Sequence, residues 1–322
     1  MHRRRVRHLV EFFVFRAMVC VCQILSPRAA ARVAESLAFV IHRIVPRKLT
    51  RYEVARTNLR EALSGELSDH EVDQTIRRMW SHLFRLVMEV IQLSRKLRLD
   101  NVVDTIRFRN RPATVRALCS GRPVMLISGH FGNWELAVSV FGLFGFRMGV
   151  VTRPLDNPYL HDWFQRVRRN TGHRLIAKKG GFDEMTMLLE RRGYLALLAD
   201  QDAGSNGVFV DFFGRPASTH KAIALMALEY QALICVGYAA RLDDEWTAAG
   251  LPRFEFGCET VIDPRDCTSA DPVRELTELY SAALERVIRR TPHQYFWVHR
   301  RWKSRPKARR RATSTAPLRK AS

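Results

Sequence analysis

Residues 126–137, "LISGHFGNWELA", decide how this chain is interpreted. The short apolar run at 123–128 predicts a buried β-strand. His130 stands two residues after that run, and "FGNW" is a turn-prone break before a helical pattern that begins at Trp134. A strand, a turn and a helix in this order are the building unit of an α/β fold.

The motif also places a histidine five residues before an acid. A neutral imidazole at His130 could accept a proton, and a carboxylate at Glu135 could fix its tautomer. Residues five apart on a helix lie about 140° apart around its axis, so the two meet only if the loop folds His130 back. The alternative is an ordinary turn, with Asn133 as helix cap and Glu135 in the first helical turn. Composition alone yields about one such spacing by chance, so the spacing leaves both interpretations open.

The rest of the chain alternates short apolar runs with helical patterns. Further strands are predicted at 147–151, 194–199, 232–239 and 253–261, and a long helix at 272–292. Residues 28–95 read as helical, and Ser68 with Glu71 has the spacing of a capping box. The sequence therefore predicts an α/β fold, a mixed sheet flanked by helices with reactive groups at strand ends. It shows no internal repeat and no glycine-rich phosphate loop.

Charge is the unusual feature of the composition. The 322 residues include 53 Lys and Arg against 32 Asp and Glu, a net charge of +21. Such a balance points to an acidic partner: nucleic acid, an anionic membrane face or an acidic carrier protein. The six cysteines have no zinc-like spacing, which favours reduced thiols and the cytoplasm.

The amino terminus combines basic and apolar residues. Residues 9–26 are largely apolar, but Glu11 and Arg16 interrupt them. We expect a basic amphipathic helix lying in the cytoplasmic leaflet, with a short membrane anchor as the alternative. Arg16 argues against a cleaved signal peptide. The predicted division is a membrane-associating segment at 1–50, an α/β domain at 51–303 and a basic disordered tail at 304–322.

Four blocks of sequence resemble one family. "SGHFGNWELA" is similar to the first block of the bacterial lipid A biosynthesis acyltransferases, the lauroyl/myristoyl acyltransferase family. Three later stretches resemble that family's further blocks in the same order: "VTRPLDNPYLHDWFQRVRRNTGHRLIAKKGG", "LADQDAGSNGVFVDFFGRPASTHKAIALMALEYQALI" and "HQYFWVHRRWK". The resemblance runs from about Arg51 to Lys303, and four ordered blocks are far more specific than one.

The resemblance implies a glycerolipid-acyltransferase-like α/β fold with an amino-terminal membrane-associating helix. It also implies a reaction, in which an acyl chain passes from acyl carrier protein to a hydroxyl of a phosphorylated glycolipid at the inner membrane's cytoplasmic face. By position, His130 is then the general base and Glu135 orients it. A hydroxyl attacks a thioester poorly unless its proton leaves as the bond forms. Arg153 is the candidate for holding the oxyanion or a lipid phosphate, or else a structural arginine at a strand end.

Further residues are assigned by their place in these blocks. Asn133, Asp200 and Gln201 are predicted to line the substrate site. The turn at 212–214 is expected to form a wall against the acyl chain or sugar, with a plain hydrophobic turn as the alternative. Lys178 and Lys179 are either phosphate contacts or solvated lysines, and residues 299–301 are expected to pack or to contact an anion. No metal and no cofactor beyond the carrier thioester is predicted.

Four other functions compete with this one. A glycerophosphate acyltransferase usually has Asp at the position of Glu135 and an "EGT"-like block that is missing here. A phosphatidylinositol mannoside is an alternative acceptor within the resembled family. A nucleic-acid-binding protein would account for the charge, and its binding would fall steeply with salt. A metal hydrolase using His130 and Glu135 lacks further ligands at metal spacing.

Overall fold

A seven-stranded sheet forms the centre of the molecule. The computed structural model describes residues 2–306. Along the sheet the strands lie in the order β1-β9-β8-β2-β5-β3-β4, and β6 pairs with β7 as a separate hairpin. The strand bounds are β1 Ile106–Arg109, β2 Val124–Ser128, β3 Met148–Thr152, β4 Arg174–Ala177, β5 Tyr194–Leu198, β6 Val208–Phe212, β7 Arg215–Thr219, β8 Leu233–Trp246 and β9 Pro252–Ile262.

The sheet is mixed, which confirms the predicted fold class. Strand β9 runs antiparallel to β8, and β1 runs parallel to β9. The other neighbouring pairs, from β8 through β2, β5 and β3 to β4, are all parallel. The carboxyl ends of these five strands therefore share one edge of the sheet, where open α/β folds place their ligands.

Helices cover the sheet and precede it. Their bounds are α1 His2–Ile24, α2 Pro27–Arg43, α3 Arg47–Thr50, α4 Tyr52–Ala62, α5 Asp69–Lys96, α6 Val102–Thr105, α7 Arg111–Leu118, α8 Trp134–Leu143, α9 Pro158–Arg169, α10 Phe182–Glu190, α11 Ala222–Glu229 and α12 Pro272–Arg290. The predicted capping box is confirmed, because the Ser68 hydroxyl accepts from the Glu71 amide while the Glu71 carboxylate accepts from the Ser68 amide.

Strand β2 divides the core into two layers. Because side chains alternate along a strand, Met125 and Ile127 face one side and Val124 and Leu126 the other. The first pair joins a large cluster built with α4, α5, α11 and α12. The second pair joins a smaller cluster that includes residues of α7 and α8. The functional residues described below lie at the end of this central strand.

The amino-terminal helices pack on the body of the protein. The ring of Phe15 in α1 lies 4.9 Å from that of Trp163 in α9, and the Gln92 side chain in α5 donates to the Cys22 carbonyl at 2.7 Å. No helix within residues 2–306 combines the length and apolar character needed to cross a membrane. Of the predicted basic tail, residues 307–322 lie outside the described part of the chain.

Several short elements were not predicted from the sequence. Strands β1 and β4 are only four residues long. Two of the four residues of β1 are exposed arginines, so its sequence lacks the apolar run that predicts a strand. The β6–β7 hairpin turns at Phe213 and Gly214, whose φ angles of 58° and 70° match a type I′ turn.

Phe212 and Phe213 are buried in the large core cluster and do not line the cavity described below. The predicted wall at 212–214 is therefore wrong, and the hydrophobic turn is correct.

Two leucines of contrasting burial should differ in their contribution to stability. Leu59 in α4 is 0% exposed, whereas Leu49 in α3 is 77% exposed. Leu59→Ala should lower the free energy of unfolding by about 2–5 kcal/mol because it leaves a cavity. Leu49→Ala should change it by less than about 0.5 kcal/mol. Chemical denaturation of both variants checks this, and equal losses would contradict the assigned packing.

Candidate active site

The pairing of β2 with β5 brings His130 and Asp200 together. Ser128 and Leu198 are paired residues of these parallel strands, and the Ala199 amide donates to the Ser128 carbonyl at 2.8 Å. Two residues beyond this pair, the backbone reaches His130 after β2 and Asp200 after β5. Both residues therefore stand at the shared carboxyl edge of the sheet.

Asp200 holds His130 through two hydrogen bonds. Its Oδ1 lies 2.8 Å from His130 Nδ1, and its Oδ2 accepts from the His130 backbone amide at 2.8 Å. A carboxylate only accepts, so Nδ1 carries a proton and Nε2 of the neutral ring keeps its lone pair. Asp200 is 1% exposed, whereas the His130 side chain is 19% exposed and lines a cavity. Asp200 thus orients the imidazole ring from the buried side, and the ring is accessible from the cavity.

This contact shifts the pKa of both partners. Burial disfavours the imidazolium, but the charge and hydrogen bond of Asp200 outweigh burial and raise the pKa of His130 above its usual value. Burial likewise opposes ionisation of Asp200, yet its contacts with His130 hold the pKa of Asp200 well below its usual range. The pair is therefore an ionised carboxylate beside an imidazole of increased basicity.

Glu135 does not orient His130, and that prediction is corrected. Both of its carboxylate oxygens accept from Arg168, at 2.9 Å from Nε and 2.5 Å from the terminal nitrogen. Glu135 lies in the first turn of α8, which directs it toward α9, where Arg168 stands. Its charge still raises the pKa of His130 slightly, as a more distant contribution than Asp200. The ion pair lines the same cavity as His130.

Asn133 has a structural role. Its Oδ1 accepts from the Leu136 amide at 2.9 Å, which confirms the predicted helix cap. Its Nδ2 donates to Glu89 at 2.9 Å, and the residue is completely buried. The prediction that Asn133 binds substrate is therefore wrong, because its amide is turned into the protein.

Three polar residues stand where the cavity meets solvent. Arg153 follows β3 directly, is exposed, and forms no hydrogen bond or ion pair with any residue from 2 to 306. Gln201 is also exposed, and Lys178 donates to its side-chain oxygen at 3.5 Å. All three line the cavity, as expected for Arg153 and Gln201. Asp200, predicted to line the site, instead lies behind His130.

A large apolar cavity extends from His130. Its volume is about 950 Å³, and it lies largely between the sheet and helices α7 and α8. Most of its wall is aliphatic or aromatic, with Leu126, Val138, Phe141, Phe146, Met148 and Val150 among the lining residues. Its polar lining residues include Ser128, Glu135 and Arg168 in addition to His130. A concave apolar site with a few converging polar groups is typical of a small-molecule site.

The carboxy-terminal block pairs with the His130 loop. The Phe296 amide donates to the His130 carbonyl at 3.0 Å, and the Gly132 amide donates to the Gln294 carbonyl at 3.0 Å. Arg301 is buried and donates to the Ser218 carbonyl and to the Thr219 hydroxyl. This block therefore supports the site by packing, as predicted.

His299 is a further residue of the site. Its Nε2 lies 3.1 Å from the Tyr295 hydroxyl, and its ring centre is 6.1 Å from that of His130. Burial and the charges of His130 and Arg301 lower the pKa of His299 to about 4. Its place in the chain gives no local signal, because only the fold brings it beside Asp200.

Three groups lie close enough to share a cation. Each of His130, Asp200 and His299 offers one possible ligand atom, and these three atoms lie within 4.8 Å of one another. Both oxygens of Asp200 already accept from His130, however, so the contacts of this cluster are those of an oriented imidazole. The chemistry that the arrangement supports is proton transfer at Nε2.

A buried charged cluster fixes the loop from its other side. The Arg241 guanidinium donates to both oxygens of Glu89, at 2.6 and 2.8 Å, and to His82 Nδ1 at 2.8 Å. Because arginine has no acceptor, His82 carries its proton on Nε2 and donates it to the Gly132 carbonyl at 3.1 Å. The cluster therefore clamps Gly132 and, through Glu89, the cap at Asn133.

Fold and site together define an α/β protein with a carboxylate-oriented histidine at the mouth of an apolar cavity. The sequence model of the family described as "Bacterial lipid A biosynthesis acyltransferase" matches residues 2–304. The chain belongs to this family.

Individual relatives are similar to parts of the chain. The lipid A biosynthesis lauroyltransferase of Escherichia coli (strain K12) is 26% identical over 186 residues, which are 58% of this chain and 58% of that protein. A phosphatidylinositol mannoside acyltransferase of Mycobacterium tuberculosis (strain CDC 1551 / Oshkosh) is 26% identical over 234 residues, 70% of this chain and 67% of the relative. The crystal structure of a 1-acyl-sn-glycerophosphate acyltransferase from Thermotoga maritima aligns with a TM-score of 0.38 at 10% identity, covering 78% of this chain and 100% of that chain.

The charged cluster predicts a large effect of a single substitution. Arg241→Met should lower the free energy of unfolding by about 3–5 kcal/mol because it leaves Glu89 buried without its partner. Glu89→Gln combined with Arg241→Met should recover most of that loss, since the neutral amide placed at position 89 keeps an oxygen that accepts from Asn133. Urea unfolding of the two variants measures the difference. A double variant no more stable than the single one would contradict the assigned pairing.

Proposed function

We propose that this chain is an acyltransferase that moves a fatty acyl chain from acyl carrier protein to a hydroxyl of a lipid A precursor. The observation that carries the proposal is the oriented His130 at the mouth of an apolar cavity of about 950 Å³. The family to which the chain belongs gives the class of reaction. The geometry of His130 and Asp200 supports His130 as the residue that would perform it.

His130 acts as general base at Nε2. It takes the proton of the acceptor hydroxyl while that oxygen bonds to the thioester carbonyl carbon. The tetrahedral intermediate then collapses, the carbon–sulfur bond breaks, and the imidazolium returns its proton to the leaving sulfur. Asp200 remains ionised throughout, fixing the tautomer of His130 and stabilising its cationic form.

A cation stabilises the charge that develops on the thioester oxygen. Arg153 is the best-placed candidate, since it is at the cavity mouth and unpaired among the described residues. Preorganised donors aimed at such an oxyanion contribute substantially to catalysis in acyl transfer. Arg168 also lines the cavity, but its charge is already balanced by Glu135. Lys178 and Gln201 complete a polar mouth suited to a phosphorylated substrate.

The membrane surface and acyl carrier protein are the proposed partners. The charge of +21 favours anionic lipid, an acidic carrier and a phosphorylated acceptor alike. Helix α1 presents apolar side chains to solvent, at Val10, Phe13, Val14, Val21 and Ile24. A helix that is basic at its start and apolar on one exposed face is suited to lie in a lipid interface. We therefore place the protein at the cytoplasmic face of the inner membrane, and the reaction as proposed needs no cofactor.

The acceptor has a second candidate. The mycobacterial relative, whose match covers more of this chain than that of the lauroyltransferase, is a phosphatidylinositol mannoside acyltransferase. Both acceptors are glycolipids that present hydroxyl groups, and the same base would serve either. A phosphatidylinositol mannoside is therefore the alternative acceptor.

Acyl transfer tests the proposal directly. The full chain in membranes should move radiolabelled laurate from acyl carrier protein to a lipid A precursor, and His130→Ala should reduce turnover about 10²–10⁴-fold. His70→Ala is the matched control, because His70 is an exposed histidine on α5, and it should leave turnover unchanged. Phosphatidylinositol mannoside is offered in a parallel assay. Transfer to neither acceptor, or full activity of the His130→Ala protein, would refute the proposed function.

A further inference from the structure

The cavity reaches the edge of the sheet as well as the polar mouth. Four apolar residues that line it are also exposed to solvent, with 37% to 65% of their surface accessible: Val103, Phe108, Val115 and Phe144. They lie on α6, β1, α7 and just after α8, where strand β1 ends the sheet. We call these four residues the edge portal.

Strand register puts the edge portal level with His130. Phe108 of β1 pairs with Phe256 of β9, and Phe256 pairs with Ala239 of β8. Ala239 in turn lies beside the His130 loop, since its carbonyl accepts from the Asn133 amide at 2.7 Å. Phe108 is thus three strands across from His130, about 14 Å at the usual strand spacing. The cavity therefore runs across the sheet as well as along it.

Little obstructs the route between the two ends. Gly237 of β8 lines the cavity, and a Cβ at this position would contact only the Gly257 carbonyl oxygen, at 3.6 Å. The space above this part of the sheet is therefore open to an apolar chain. At the far end the ring of Phe108 lies 5.9 Å from that of Phe144. These two rings form an aromatic rim at the opening.

Positive charge predominates around the edge portal. Residues 103–134 include five arginines and one acid, Asp104. Arg107 and Arg109 face Glu245 and Glu255, but Arg111 and Arg116 form no ion pair with any residue in the described range. The Arg111 guanidinium lies 5.7 Å from the centre of the Phe108 ring. Apolar side chains flanked by two unpaired arginines match an anionic lipid surface, in which the rings enter the interface and the arginines contact head groups.

The edge portal is also continuous with the amino-terminal helices. Helix α5 ends just before it, and exposed Leu99 lies between that end and Val103. The same end of α5 contacts the end of α1, because Arg95 donates to the Gln23 side chain at 3.1 Å. Exposed apolar residues therefore occur on both sides of this contact, at Ile24 and at Leu99.

We propose that the edge portal docks on an anionic lipid bilayer, so that the cavity opens sideways into lipid. The inference rests on the proposed function in one respect, that the cavity holds an acyl chain. The methyl end of the acyl chain would then extend toward the bilayer face, while its thioester end stays at the mouth near Arg153 with the carrier protein and the polar acceptor.

Site-specific photocrosslinking tests this docking without requiring activity. The full chain carrying Phe144→p-benzoylphenylalanine is mixed with vesicles of equal parts phosphatidylglycerol and phosphatidylethanolamine, and irradiated. The control is Leu279→p-benzoylphenylalanine on α12, which packs on the other face of the sheet with an exposure of 45% against 39% for Phe144. We expect lipid adducts at position 144, at least about tenfold fewer at 279, and a loss of about fivefold for each of Arg111→Gln and Arg116→Gln.

Four outcomes would count against the docking surface. Equal labelling at 144 and 279 would indicate unspecific contact, and no lipid adduct at 144 on protein that co-floats with vesicles would assign docking to another surface. Failure to bind the vesicles at all, or crosslinking to added acyl carrier protein instead of lipid, would also overturn the inference. Absence of acyl transfer with normal crosslinking would refute the proposed function and leave the docking surface standing.

Discussion

The contact between His130 and Asp200 is the interaction on which the rest of the site depends. It arises from the register of two neighbouring parallel strands, since each residue stands two positions beyond a paired one. The carboxylate is fully buried, so its charge acts on the imidazole with little screening. Shifting β2 by one residue against β5 would turn His130 away from both the carboxylate and the cavity.

The backbone around His130 is held as closely as its side chain. Gly132 has a φ of +60°, and a Cβ there would lie 2.1 Å from the Ala239 carbonyl oxygen, so only glycine fits. Segments distant in sequence close on the same loop: Phe296 pairs with the His130 carbonyl, and His82 donates to that of Gly132. These surrounding contacts hold the His130 loop in place.

Local features of the sequence were predicted well because they depend on near neighbours. The strand before His130, the cap at Asn133 and the capping box at Ser68 each involve residues within a few positions of one another. The partner of His130 was missed for the opposite reason. Asp200 is 70 residues away, and its role follows only from the order and register of strands.

The residues whose roles were predicted wrongly also depend on contacts between segments distant in sequence. Glu135 is close to His130 in sequence and has the position that the family resemblance implies for the orienting acid, but the start of a helix directs it to Arg168. Phe212 and Phe213 are apolar, as residues that contact an acyl chain would be. Only the packing of the β6–β7 hairpin shows that they are buried in the core. His299 joins the site through the carboxy-terminal segment, which no local pattern connects with His130. Sequence therefore located the site on the sheet, and the fold determined which side chains meet there.

The most direct test of this account is the proton on Nδ1 of His130. In protein labelled with ¹⁵N-histidine, a ring N–H donated to a buried carboxylate gives a proton resonance far downfield. Asp200→Asn should abolish or strongly shift this signal, whereas Glu135→Gln should leave it in place. A signal retained in Asp200→Asn and lost in Glu135→Gln would show that the carboxylate orienting His130 is Glu135, and would contradict the account.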